Sequence, residues 1–261
     1  MNIVVGLKQV PGTTEVKIDP STNTLVRQGI ANIINPFDTY AIEEAVRLRE
    51  KHGGRVTALT MGPPQAEAAL REAISVGVDE AVLLSDRAFA GADTWATAYT
   101  LSRAIIKIGR FDLVICGRQT IDGDTGQVGP ELAEMLDVPF VAYVSSIEEV
   151  KENYLRVRRM VEEGHEVIET TLPAVITVSK EINVPRLPSL RGIMKSKSAK
   201  IPAWGISDLG VEENMVGLAG SSTQVIRIFF PQRVGTAEIL EGTPEAKVES
   251  LLEKLREARL I

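Results

Sequence analysis

Phe111-Asp112-Leu113-Val114-Ile115-Cys116-Gly117-Arg118-Gln119-Thr120-Ile121-Asp122-Gly123-Asp124-Thr125-Gly126-Gln127-Val128-Gly129-Pro130 runs from an apolar strand, through a glycine-rich loop, into a helix. Phe111 to Cys116 reads as the strand and Pro130 to Leu136 as a short helix. Its proline falls in the first turn, where no backbone N–H is missed. The same alternation fills the chain upstream. Ile3 to Val5, Arg55 to Met61 and Ala81 to Leu84 are strand-like, while Thr39 to Lys51, Pro64 to Val76 and Trp95 to Ile108 place apolar residues at helical spacing. In the first of these helices Ala41, Ile42, Ala45, Val46 and Leu48 lie close to one face. Strands separated by helical segments of this length imply βαβ units and a parallel sheet, so the fold class is α/β.

Downstream the pattern changes. Tyr154 to Met160 and Glu166 to Thr171 flank the polar Glu162-Glu163-Gly164-His165 and read as an antiparallel hairpin. Ala174 to Val178 is a further strand expected to return to the sheet. From Asn183 onward regular periodicity fades among Pro185, Pro188, Pro202 and several glycines, giving a long irregular arm. The arm carries the apolar run Val225 to Phe230, too apolar to be left in water, and ends in an amphipathic helix, Pro244 to Leu260, with Val248, Leu251, Leu252 and Leu255 on one face. The expected division is an α/β domain with hairpin over residues 1–182 and a partner-docking loop and arm over 183–261.

Composition narrows the function. The 261 residues hold 29 Lys plus Arg and 35 Asp plus Glu, a net charge of −6, which argues against non-specific nucleic-acid binding. Hydrophobic residues make up 44%, enough for a sizeable core. One cysteine, Cys116, excludes an internal disulfide framework and a multi-thiolate zinc site, and two histidines, His52 and His165, leave little for an imidazole metal site. No apolar run approaches the ~18–20 residues of a membrane span. Met1-Asn2-Ile3-Val4-Val5 enters a strand without a basic leader, so a soluble, cytoplasmic chain is expected.

Parallel α/β sheets bind ligands beyond the carboxyl ends of their strands. Four segments are expected to meet there: Gly6 to Pro11, Met61 to Pro64, Ser85 to Trp95, and Gly117 to Pro130. The last carries most information. Glycines at 117, 123, 126 and 129 admit a close ligand, and the helix that follows offers free N–H groups and a positive dipole end to a phosphate. Arg118 can add a charge-assisted contact, and Asp122 and Asp124 can accept from ribose or ribityl hydroxyls. The plainer alternative is a surface loop with two solvated aspartates. In the third segment Asp93 or Thr94 is the natural helix cap. No Gly-x-Gly-x-x-Gly follows the first strand, and Walker A and Gly-x-Ser-x-Gly sequences are missing. Cys116 reads as a small packing residue at a strand end, not a nucleophile.

Several motifs, in order, resemble the beta subunit of electron-transfer flavoproteins over essentially the whole chain. They are Lys8-Gln9-Val10-Pro11, Ile34-Asn35-Pro36-Phe37-Asp38, Ala41 to Leu48, Met61-Gly62-Pro63, the Gly117 to Pro130 loop, Val184 to Lys197 and Pro231-Gln232-Arg233. The resemblance implies a Rossmann-like sheet of the adenine-nucleotide-binding type and a heterodimer with an alpha subunit embraced by the C-terminal arm. The implied cofactor-binding residues are Gly6, Lys8, Asn35, Asp38, Met61, Gly62, Asp93, Thr94, Thr97, Cys116, Gly117, Arg118, Gln119, Asp122, Gly123, Asp124, Thr125, Gln127 and Val128. Leu190, Ile193 and Met194, flanked by Lys195 and Lys197, would form a loop that docks on a flavin-containing dehydrogenase.

Two branches of the family differ at this pocket. One holds structural AMP; the electron-bifurcating branch holds a second FAD, reduced by NADH. Asp122 to Pro130 and Asp86 to Thr97 resemble the second, with Gly126 where alanine is frequent. Gly123 is read as making room for the flavin dinucleotide and as a candidate for positive φ. Electrons would then pass to ferredoxin or flavodoxin and, through the alpha-subunit FAD, to the dehydrogenase, so redox activity belongs to the complex. No catalytic side chain and no metal ligand is implied. The alternatives are an AMP-binding housekeeping electron carrier and a non-redox nucleotide-binding regulatory module.

Overall fold

A computed structural model describes residues 1–12, 17–19, 24–26, 31–226 and 237–261. The chain divides into two compact units, Met1–Val225 and Ile226–Ile261. Arg227 to Phe230 of the apolar run and Pro231-Gln232-Arg233 lie outside the described residues.

The first unit is built on strands β1 (Asn2–Gly6), β2 (Gln9–Pro11), β3 (Lys17–Asp19), β4 (Thr24–Val26), β5 (Asn32–Ile34), β6 (Arg55–Met61), β7 (Glu80–Leu84), β8 (Leu113–Gly117), β9 (Phe140–Lys151), β10 (Tyr154–Val161), β11 (Gly164–Thr171), β12 (Ala174–Val178) and β13 (Ala203–Trp204). Nine of them form one sheet in the order β11-β10-β9-β12-β8-β1-β6-β7-β13; β2 pairs with β5 and β3 with β4 separately. From β9 to β13 the large sheet is parallel, and the β10–β11 hairpin extends it antiparallel. The helices of this unit are α1 (Pro36–His52), α2 (Glu67–Ser75), α3 (Thr94–Ile108), α4 (Val128–Leu136), α5 (Leu190–Ser198) and α6 (Ile206–Leu209).

Parallel strands covered on both faces need apolar residues at every position. Ile3-Val4-Val5, Leu113-Val114-Ile115 and Ala174-Val175-Ile176 supply them, all at most 3% exposed. Alternate residues feed two layers. Ile3 and Val5 pack with Ala41, Ile42 and Ala45 of α1 and Leu70 of α2, whereas Val4 packs with Leu101 and Ile105 of α3 and Leu132 of α4. Helix α1 starts three residues before the expected Thr39, because Pro36 suits the first turn and Asp38 complements its dipole. It stops at Gly53, with φ 71°.

The order of connection fixes where a ligand site can lie. The chain moves from β1 to β6 and β7 on one side, then returns across β1 to place β8 and β12 on the other. The loops after β1 and β8 therefore leave the sheet in opposite senses, and the topological switch point between them is where open α/β sheets hold their ligands.

Three features were not anticipated. β9 is a twelve-residue strand that begins beside β12 and runs on into the hairpin; its register slips between Ile176 and Val178, and Tyr143 has φ 56° there. β13 adds a short parallel edge beside β7. The segment read as a docking loop is a helix, α5. Ser189 caps it by accepting from the Gly192 N–H at 3.0 Å, and a Cβ on Gly192 would collide with the Ser75 carbonyl at the end of α2. In the second unit α7 spans Pro244–Glu257 with Thr243 as cap. Val248, Leu251 and Leu252 on its apolar face are exposed. No helix among the described residues is long and apolar enough to cross a membrane.

Candidate functional site

At the switch point Gly6 of β1 is the register partner of Cys116 of β8. A Cβ on Gly6 would lie 2.9 Å from the Cys116 sulfur, so glycine is what lets the two strand ends approach. Desolvation first, then the neighbouring Asp38 carboxylate, push the Cys116 thiol up to about 12. A thiol held neutral in this way is a packing group, as its sequence position implies.

The first turn of α1 reaches under both loops. Asn35 is fully buried; its amide donates to the Gln119 carbonyl at 2.9 Å and its oxygen accepts from the Ile121 N–H at 3.1 Å. Asp38 accepts from the Lys8 N–H at 2.7 Å and from the Gly117 N–H at 3.2 Å. Above them Lys8 Nζ lies 2.9 and 2.8 Å from the two carboxylate oxygens of Asp122, joining the loop after β1 to the loop after β8. Burial alone would raise the Asp122 carboxyl, but Lys8 outweighs it and holds the group below the usual carboxylate range. Gln119 donates to Asp124, whose backbone is left-handed at φ 54°.

The glycines of the loop divide by role. Gly126 has φ 64°, so a side chain there is strained. Gly123 has no positive φ, contrary to the expectation. A Cβ on it would meet only Thr120 Oγ1, at 3.3 Å, and the space beside it is otherwise open. Gly117 is closed in: a Cβ would collide with Asp38 and lie 2.7 Å from the Phe37 carbonyl carbon.

A second cluster lies where α3 and α4 begin. Thr94 Oγ1 is 3.4 Å from Gln127 Oε1 and 3.0 Å from Glu131 Oε1, so the two helix N-termini stand side by side. Each carries N–H groups without intrahelical partners and a positive dipole end, a combination suited to a phosphate. Burial, with some help from Asp93, raises the Glu131 carboxyl, while its bond from Thr94 opposes the rise. Val128 opens α4, and Thr97 sits in the first turn of α3, its N–H on the Asp93 carbonyl at 3.0 Å. Asp93 is the α3 cap, accepting from Ala96 at 3.0 Å, and it also accepts from the Thr223 N–H and hydroxyl at 2.8 and 3.0 Å. Burial opposes its ionisation, but these donors keep its carboxyl low.

Met61 ends β6 at the neighbouring strand, and the N–H of Gly62, which follows it, donates to the Leu84 carbonyl at 3.0 Å. Arg118 lies 5.0 Å from the ring centre of Phe37 and 5.8 Å from that of Tyr143, and it donates to Gln119 at 3.0 Å. Thr125 is exposed at the loop tip. Tyr143, Glu131, Thr223 and Ser221, whose hydroxyl accepts from the Asp93 N–H at 2.8 Å, were missed from sequence. Each joins the site across tens of residues, and only the polar Ser221-Ser222-Thr223-Gln224 run gave any local signal.

On the docking side, Leu190 and Met194 are 84% and 73% exposed, with Ile193 beside them at 37%. Lys197 is exposed, while Lys195 turns back to donate to the Val78 carbonyl at 3.0 Å.

An open parallel sheet with its crevice at the switch point defines the doubly wound α/β class. Comparison with known sequences narrows this. Residues 22–209 match the family model described as "Electron transfer flavoprotein domain". The chain is 51% identical to the electron transfer flavoprotein subunit beta of Thermoanaerobacterium thermosaccharolyticum and 47% identical to the caffeyl-CoA reductase-Etf complex subunit CarD of Acetobacterium woodii, each over the full length of both chains. It is 44% identical to the protein FixA of Azotobacter vinelandii, over 98% of this chain and 94% of that one. The chain belongs to the electron transfer flavoprotein beta subunit family.

Proposed function

We propose that this chain is the beta subunit of a heterodimeric, electron-bifurcating electron transfer flavoprotein and that its switch-point crevice takes FAD. The observation that carries this reading is the open space at Gly123, where a Cβ would have a single neighbour within 4 Å. Two further features fit a flavin dinucleotide. The paired N-termini of α3 and α4 suit its pyrophosphate, and the carboxylates of Asp122 and Asp124 suit its hydroxyls. The name of the CarD relative, a subunit of a reductase–Etf complex, agrees with the reading.

A flavin held by these residues would supply the redox chemistry between NADH, ferredoxin or flavodoxin and, with the alpha-subunit FAD, a flavin-containing dehydrogenase. The chain's own residues bind and orient. Asn35 and Asp38 fix the two loops from below, and Lys8 with Asp122 ties them together above. Arg118 is steered by Phe37 and Tyr143. Cys116 contributes packing only.

The test is the nucleotide content of the heterodimer. Two FAD and little AMP are expected. One FAD and one AMP would overturn the bifurcating reading in favour of the housekeeping one, and a chain that purifies without a flavin-bearing alpha partner would favour a regulatory module.

Helix α5 leads to a second expected result. Leu190→Ala removes an exposed apolar anchor within a charged surround and should weaken dehydrogenase binding by ~1–4 kcal/mol. NADH reduction of the flavin in this chain should be nearly unchanged. Equal losses in both assays would show that α5 is not a separate docking element.

A further inference from the structure

Residues 217–223 lie just before the end of the first unit at Val225, and they are stitched to the loop that leads from β7 into α3. The Leu218 N–H donates to the Ala90 carbonyl at 3.0 Å, and the Asp93 N–H donates to Ser221 Oγ at 2.8 Å. Gly217 has φ 55°, and a Cβ on it would collide with the Ala88 carbonyl, so here the two segments touch backbone to backbone. Asp93 stands where they join. Its Oδ1 accepts from the Ala96 N–H in the first turn of α3 at 3.0 Å, and its Oδ2 accepts from the Thr223 N–H and hydroxyl at 2.8 and 3.0 Å. One carboxylate therefore caps the helix with one oxygen and holds the departing chain with the other.

We infer that the 217–223 segment is a strap whose fastening to Asp93 and the binding of a nucleotide diphosphate at the start of α3 strengthen each other, with Asp93 as the positioning residue between them. The inference rests on the reading that the crevice takes a nucleotide. A carboxylate and a phosphate at one helix end repel, and they are compatible only while donors take up the charge of the carboxylate. Thr223 supplies two such donors to Oδ2. With the strap loose, that oxygen turns its charge on the ligand; with the strap fastened, its charge is committed to Thr223. A bound diphosphate thus makes a loose strap more costly, and by linkage the strap adds to the affinity for the diphosphate by the same factor. The effect belongs to the phosphates, so a ligand without them should be indifferent to Thr223.

The experiment is hydrogen–deuterium exchange by mass spectrometry on the heterodimer, with the alpha-chain FAD in place and the nucleotide of this chain removed, with and without ADP. In the wild type ADP should slow exchange in peptides covering 117–128 and, by roughly fivefold, in peptides covering 217–223. Thr223→Val keeps the size of the side chain and removes its hydroxyl donor; it should weaken ADP binding by about threefold and leave adenosine binding unchanged, and Thr223→Ser should restore ADP binding. Protection of 117–128 without protection of 217–223 would overturn the linkage. So would wild-type ADP affinity in Thr223→Val, or an equal loss for ADP and adenosine, which marks a packing defect. The wild-type comparison needs no variant, so it decides the matter even if Thr223→Val does not fold. ADP that protects neither segment overturns the nucleotide reading and the linkage with it, a pattern distinct from failure of the linkage alone.

Discussion

Gly123→Asp is expected to cost the heterodimer the FAD held in this chain while the alpha-chain flavin is kept. The backbone at 123 is not left-handed, and a Cβ there makes one tolerable contact, at 3.3 Å from Thr120 Oγ1. The substitution therefore acts through what it adds to the loop and not by unfolding it. It places a third carboxylate between Asp122 and Asp124, beside a ligand that carries a pyrophosphate, and it fills the open side of the loop. Residues 121–125 are exposed, so solvent screens the added charge, and repulsion of the pyrophosphate together with the lost space should cost about tenfold in affinity. AMP is smaller and should be retained in preference. Nucleotides are counted after purification; two FAD per heterodimer with unchanged NADH reactivity would refute a selective role for Gly123.

Arg186→Met should produce the largest loss of stability. Arg186 ties the start of the 183–198 segment to α1, with Nε 2.8 Å from Glu43 and Nη1 2.6 Å from Glu50. The Glu43 side chain is 4% exposed, and Arg47 also reaches it, at 2.6 Å. A buried pair that loses one partner typically costs ~3–5 kcal/mol; with Arg47 still in place about 2–3 kcal/mol is expected. The loss should be local first, seen as faster amide exchange through α5, with weaker dehydrogenase docking and unchanged nucleotide content. Exchange unchanged through α5 would show that the network does not hold the helix. The pH dependence has a definite sign. Burial would raise the Glu43 carboxyl, but Arg186 and Arg47 hold it below its ordinary value of about 4.3. Its contribution is therefore complete above that value and disappears as pH falls through the lower folded value, so this acid sensitivity should shrink in Arg186→Met.

The α/β alternation was legible because buried parallel strands leave continuous apolar runs and their helices leave one-sided stripes. Ile3 to Val5 and Ala41 to Leu48 are examples that carry their own burial pattern. β9 was hidden because the slip around Tyr143 breaks the period-two alternation between Val141 and Ser145. Helix α5 was hidden for another reason. Gly192, Ser196 and Ser198 lower its local helix propensity, and its stability comes instead from the Ser189 cap, the packing of Gly192 on α2 and the donation by Arg71 to the Ser196 carbonyl. In the site, the glycine loop announced itself, but the conformations within it did not. The left-handed residues are Asp124 and Gly126, and which of several adjacent small residues takes that conformation depends on contacts such as the Gln119–Asp124 bond. The fastening by Asp38 joins Lys8 to Gly117 through the first turn of α1, a relation between positions far apart in the chain that no local pattern encodes.

The cysteine at the meeting of β1 and β8 also gives this end of the sheet a built-in reporter. Its thiol is part-exposed, and desolvation pushes it up to about 12, so it should react slowly with an alkylating dye in the folded chain. As the chain's single cysteine it takes up one dye molecule and no more. A ligand that covers the strand ends should slow that uptake further, which makes the labelling rate a measure of occupancy that needs no knowledge of what is bound.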